Sequence, residues 1–148
     1  MQSNSLGVLL PEMRLDFWDE LWHGQISNAS ALDRRLSVLE LPLRADAPCC
    51  RCVLRLQHGD AYLNHIWRYG RDRLRVAVGN LLPREERGVV YGVCRLTPRH
   101  VYILACAMAQ TDADTLLARA KEDIARLVEA LENYLDLSLI HISEPTRP

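Results

Sequence analysis

The sequence predicts an α+β domain in which one sheet is covered by helices, and three features predict it. Residues 49–57, CCRCVLRLQ, alternate with a period of two, the mark of a strand with one buried face. Residues 88–96 and 101–109, GVVYGVCRL and VYILACAMA, are rich in β-branched and aromatic side chains and are joined by the proline-containing turn TPRH. They predict a hairpin. Between and after these strands, apolar residues fall at helical spacing instead.

Taken in order, LPEMRLDFWDELWHGQ (10–25) opens on a proline suited to a first helical turn, sets Met13, Phe17 and Leu21 four apart, and ends at Gly24. Asn28 or Ser30 can cap a second helix, ASALDRRLSVLEL (29–41), with Leu32, Leu36 and Leu39 along one side. The pair predicts a helical hairpin that packs on the domain or on a second copy. Its buried-face and dimer-contact candidates are Met13, Phe17, Leu21, Leu32 and Leu36. A DNA-reading helix-turn-helix is the weaker alternative, because the turn is loose and only Arg34 and Arg35 are placed to read bases.

After the strand at 49–57 the bounding turn is HGD, and from Asp60 the period becomes helical. Leu63, Ile66, Trp67 and Gly70 share a face, followed by Leu74, Ala77, Val78, Leu81 and Leu82, which predicts one helix bent at Gly70 or two in succession. Pro83 and REER close it. In the hairpin that follows, both faces of the second strand are apolar (Val101, Ile103 and Ala105; Tyr102, Leu104 and Cys106), so it belongs inside the sheet, with helices on one side and something else on the other. A last helix runs from the caps Thr111 or Asp112 with Leu116, Ala120, Ile124, Leu127, Leu131 and Leu135 on one stripe.

Composition narrows the function classes. The formal net charge is −1, with acidic and basic residues interspersed, which gives no electrostatic footprint for nucleic acid or an anionic membrane. No segment approaches the roughly 20 apolar residues of a membrane span, and the first residues lack a signal-peptide pattern; a cytoplasmic location is expected. Cys49, Cys50 and Cys52 do not form the paired spacing of a zinc site; Cys50 and Cys52 share a strand face with Leu54 and Leu56 and read as core. His58, His65 and His100 lack a nucleophile or carboxylate at a fixing distance and read as surface residues, and Trp18, Trp22 and Trp67 as core or partner contacts. Neither a catalytic residue nor a metal or cofactor is expected.

The last twelve residues, LSLIHISEPTRP, differ in character from all that precedes them. From Leu137 to Arg147 they resemble the translated end of a transposase-based sequencing adapter, so Asp136 is taken as the last natural residue and the gene is expected to continue. The expected division is then 1–46 hairpin and linker, 47–136 an incomplete sheet domain, and 137–148 an artefactual tail. A sheet lacking its next strand would have an open edge, onto which the strand-like LSLIHIS can dock without biological meaning.

The order from Cys49, βααββα with a further strand expected, is the start of the ferredoxin-like arrangement used by nucleotide cyclases of the GGDEF class. FWDELWHGQISNASALDRRLSVLELPL, RVAVGNLL and ENYLDL resemble segments of the degenerate GGDEF-like middle domains of bacterial transcription regulators, over Pro11 to Asp136. The nearest types in pattern are response regulators with a receiver in front and an AraC-type helix-turn-helix behind; purine-catabolism and sugar-diacid regulators have a similar middle domain. The resemblance implies a homodimeric, non-catalytic regulatory module that meets DNA only through a separate helix-turn-helix domain. Catalysis is not implied, because Leu96–His100 and Arg55–Gly59 stand where a cyclase places its carboxylates and glycines, with Asp60 alone able to hold a cation weakly. The competing expectation is an effector-binding module, its pocket near Tyr62, His65 and His100.

Overall fold

A computed structural model describes residues 13–26, 28–84 and 87–146, with side chains through Leu139. The predicted helix start at Leu10 and Pro11, and the Glu85–Glu86 closure, lie outside the described residues. The class is α+β. Helix α1 (13–22) and helix α2 (Ala29–Val38) come first, then strand β1 (Cys49–Leu56) and a short helix α3 (Gly59–Ala61) that runs into a π-turn over Tyr62–Ile66. Helix α4 (Arg71–Leu81), strands β2 (Val89–Leu96) and β3 (His100–Ala107), helix α5 (Ala113–Leu135) and strand β4 (Leu139–Thr146) complete the order.

The sheet runs β2-β3-β1-β4, every neighbouring pair antiparallel. Each helical crossover therefore joins two strands separated by a third, and β3 lies inside the sheet as its two apolar faces predicted. Cys50, Cys52, Leu54 and Leu56 of β1 point to one face with Val101, Ile103 and Ala105 of β3. There α4 and α5 bury Leu74, Val78, Ile124, Leu127 and Leu131 against them. An extra residue at Cys94 shifts the β2–β3 register between Val93 and Arg95, so that Val93 and Leu96 both reach this core.

Local chemistry sets the element ends. The Asn28 side chain accepts hydrogen bonds from the Ser30 and Ala31 amides and starts α2, and Asp112 accepts from Thr115 to start α5. The segment read as one bent helix or two is two: the π-turn stops at Ile66, and Gly70, at φ 89°, resets the chain before α4. Ile66, placed on the buried face by its spacing, is exposed because that face ends with the turn. Asp136 adopts a left-handed conformation at φ 53°, the Leu137 amide donates to the Leu131 carbonyl, and Leu137 drops into the core, where the tail reading had placed nothing. Residues 139–146 then pair with β1 through an irregular register, covering the edge that residues up to 136 leave open.

Candidate functional site: the hairpin–sheet interface

The second face of the sheet is formed by small and soft residues: Val90, Gly92 and Cys94 of β2, Leu104 and Cys106 of β3, and Cys49 of β1. The helical hairpin lies on it, with Phe17, Trp18, Leu36 and Leu39 buried and Met13, Leu21, Trp22 and Leu32 half-buried. Gly92 sits directly under the Trp18 indole, where a Cβ would overlap the ring, so the missing side chain is what lets the helix approach. All five contacts proposed from sequence, Met13, Phe17, Leu21, Leu32 and Leu36, thus face this chain's own sheet.

Arginines fasten the hairpin through backbone carbonyls. The Arg75 guanidinium, from α4 on the opposite face, donates to the Val93 carbonyl of β2 at 2.6 Å and to the Leu15 carbonyl of α1 at 2.6 Å. One side chain therefore ties α4, the sheet edge and the hairpin together. Arg14 donates to the carbonyls of Leu39 (2.9 Å) and Glu40 (3.2 Å) just past α2, where a cation also meets the negative end of the helix. Arg51 donates to the Trp22 carbonyl at 3.2 Å and lies 4.8 Å from the Trp22 ring centroid, while its buried Nε has no acceptor. Arg35 pairs with Glu20 across the two helices and covers the Phe17 ring.

Beneath α2 the fit is incomplete. A cavity of about 140 Å³ lies among Leu21, Leu32, Leu36, Leu43, Leu104 and Cys106, with Cys49 and Arg51 also on its wall. Cys49 and Cys106 are opposite one another on β1 and β3, and their Sγ atoms are 2.9 Å apart. Cys106 is buried and Cys49 half-buried. The contact with Cys106 lowers the pKa of Cys49 below that of an ordinary thiol against the opposing effect of burial, whereas the same contact and burial raise the pKa of Cys106. Cys49 is thus the thiol of the pair that ionises first.

Comparison with protein-family models, with curated proteins and with solved structures finds no match.

The residues proposed as an effector pocket are not brought together. Tyr62 is buried beneath the helical face and donates to the Leu135 carbonyl at 2.7 Å. His65 is exposed, and the His100 ring lies tilted 5.8 Å from that of Tyr102, which belongs to the hairpin face of the sheet. Where the resemblance places cyclase chemistry, a cleft of about 350 Å³ is lined by Arg55, His58, Gly59, Asp60, Pro98 and Arg99. Gly59 packs against the Pro98 carbonyl so closely that a Cβ would not fit, which fixes the β1 end against the hairpin turn. Among the described residues no group of three His, Cys, Asp or Glu side chains is placed to hold a metal, and no helix is long and apolar enough to cross a membrane.

Three features escaped the sequence reading. The Cys49–Cys106 pair required the strand register, since the two are 57 positions apart. Arg75 reads as one of several arginines on a solvated helix until β2 is placed beside it. Asp123, fully buried on α5, accepts from the Tyr91 hydroxyl at 2.6 Å and has Arg87 3.3 Å away. Its only sequence signal is an acidic residue directly before Ile124 on the apolar stripe.

Proposed function

We propose that this chain is a non-catalytic regulatory module of a bacterial transcription regulator, cytoplasmic and homodimeric, that passes the state of a receiver domain to an AraC-type helix-turn-helix. The order β2-β3-β1 of the three strands before the tail, with α4 and α5 together on one face, supports a ferredoxin-like scaffold of the cyclase type put to mechanical use. The observation that carries the reading is the Arg75 latch. A shift of the hairpin reaches α4 through one guanidinium and two carbonyls, so the two faces of the sheet are coupled without a ligand. Pairing then draws on surface that the docked hairpin leaves outside, such as Val38 at the end of α2, and not on the five contacts spent on the sheet.

Size-exclusion chromatography with light scattering, run over a range of concentrations, tests the pairing. A dimer that dissociates on dilution is expected, and a monomer throughout removes homodimerisation. Melting the chain with magnesium and GTP tests the non-catalytic part: no rise in Tm is expected, and a magnesium-dependent rise that follows the logarithm of GTP concentration overturns it.

A second reading, an effector-binding module, is favoured by the cavity under α2, whose walls are largely leucine and cysteine. It moves the effector from Tyr62, His65 and His100 to the hairpin interface. Thermal shifts with nucleotides, purines and sugar acids separate the readings; a saturable shift with any of them puts effector binding in front.

A further inference from the structure

We propose that Cys49 and Cys106 form a peroxide-reactive thiol pair that closes to a cross-strand disulfide under the helical hairpin. The register decides the geometry. Residues 49 and 106 are partners between the hydrogen-bonded pairs at 48/107 and 50/105: the Ala107 amide donates to the Pro48 carbonyl, so 49/106 is a non-hydrogen-bonded pair, in which side chains approach most closely. The Cα separation typical of such a pair, about 4.5 Å, lies within the range that a disulfide spans. The two sulfurs are already in contact at 2.9 Å.

The two thiols also differ in the way the chemistry requires. Cys49 is half-buried and borders two clefts, one under α2 and one beside Leu116 and Leu117 of α5, so a small oxidant reaches it from outside. Cys106 is buried, on the inner wall of the cavity under α2 beside Cys49. Cys49, the more exposed of the two and favoured as thiolate by its contact with Cys106, is the attacking sulfur. Its sulfur takes one oxygen of hydrogen peroxide or an alkyl hydroperoxide: the S–O bond forms, the O–O bond breaks, and water or the alcohol leaves after protonation. The Cys106 thiol then attacks the sulfenic sulfur, the S–S bond forms, and hydroxide departs to combine with the Cys106 proton as water. Two thiols and one peroxide become one disulfide and two waters, or one water and one alcohol.

This goes beyond the regulatory reading, because it stands whether or not the chain belongs to a transcription regulator. It gives the module an input of its own: the link fixes the cavity floor on which Leu32 and Leu36 of the hairpin rest.

The test uses the whole chain, treated with hydrogen peroxide, alkylated and mapped by mass spectrometry of its peptides. A peptide pair joining Cys49 to Cys106, two hydrogens lighter than the reduced forms and restored by a thiol reductant, is expected, together with a raised Tm of the oxidised chain. C106S should leave Cys49 as a sulfenic acid trapped by dimedone, and C94S should leave the link intact. Mapping of the unaltered chain decides the matter even where a variant fails to fold. Links through Cys50, Cys52 or Cys94 in place of 49–106, no link at all, or a 49–106 link that forms only in urea overturns the proposal.

Discussion

The two faces of the sheet are covered by different means. Under α4 and α5 the core is branched aliphatic, with Leu54, Leu74, Val78, Ile103, Leu127 and Leu131 all fully enclosed. Under the hairpin leucines such as Leu36, Leu39 and Leu104 are mixed with a glycine, cysteines and aromatics around a cavity, and arginines hold the covering helices by their carbonyls. Close-packed aliphatic contacts resist displacement because any shift loses many small dispersion terms at once. Hydrogen bonds from long flexible side chains tolerate a shift and can re-form. The first face is suited to hold the fold, the second to move on it.

Truncating one leucine on each face should separate these roles by the largest margin. Leu127→Ala removes a fully buried side chain from the helical core and should cost about 3 kcal/mol, read from urea unfolding. Leu32→Ala, half-buried beside an existing cavity, should cost about 1 kcal/mol or less. Equal costs would show that the hairpin face is packed as firmly as the other, and the mechanical reading would lose its basis.

Gly92→Ala strikes the hairpin face alone. The new methyl group would stand within the Trp18 ring, so α1 must lift, at a cost of about 2 kcal/mol. Tryptophan fluorescence should shift to the red as Trp18 gains water, while amide exchange in α5 stays slow. Loss of protection in α5 to the same degree would mean that the two faces fold as one unit.

What the sequence disclosed follows the same division. Strict periodicity made the helical face legible: Leu116, Ala120, Ile124, Leu127 and Leu131 lie buried on α5 as their spacing implies, and the cysteines at 50 and 52 are core as the period of two implies. The hairpin's apolar residues were legible as a face, but not the surface they cover, since that depends on a sheet formed more than 40 residues later. The site was least legible. Cys49 meets Cys106 only through strand register, and Arg75 meets Leu15 only around the edge of β2, and neither relation leaves a local pattern. Tyr62 and His65, chosen with His100 as polar groups near a presumed cleft, share one π-turn that turns Tyr62 into the helical core and His65 to solvent, while His100 sits on β3 beside Tyr102 of the hairpin face.

The helical face holds a buried carboxylate, Asp123, and it sharpens the contrast through pH. The Tyr91 hydroxyl donates to buried Asp123 on α5, and burial, then the hydrogen bond to and charge of Asp123, push its ionisation well above the usual tyrosine range. Unfolded Tyr91 releases its proton near pH 10 while the folded group keeps it, so the folded state is the more protonated one in that range. Stability from this group is therefore full below pH 10 and falls as pH rises, by about 1.4 kcal/mol per unit. Cys94, pushed up to about 12 by burial, adds a loss of the same sign that starts from the ordinary thiol range. Tyr91→Phe should be the less stable protein at pH 7, since Asp123 loses its donor, yet its stability should fall less steeply above pH 10, so that the two curves converge. Urea unfolding at pH 7 and across pH 10 to 11 measures this, and parallel curves would mean that the Tyr91 hydroxyl titrates alike in both states and does not tie α5 to β2.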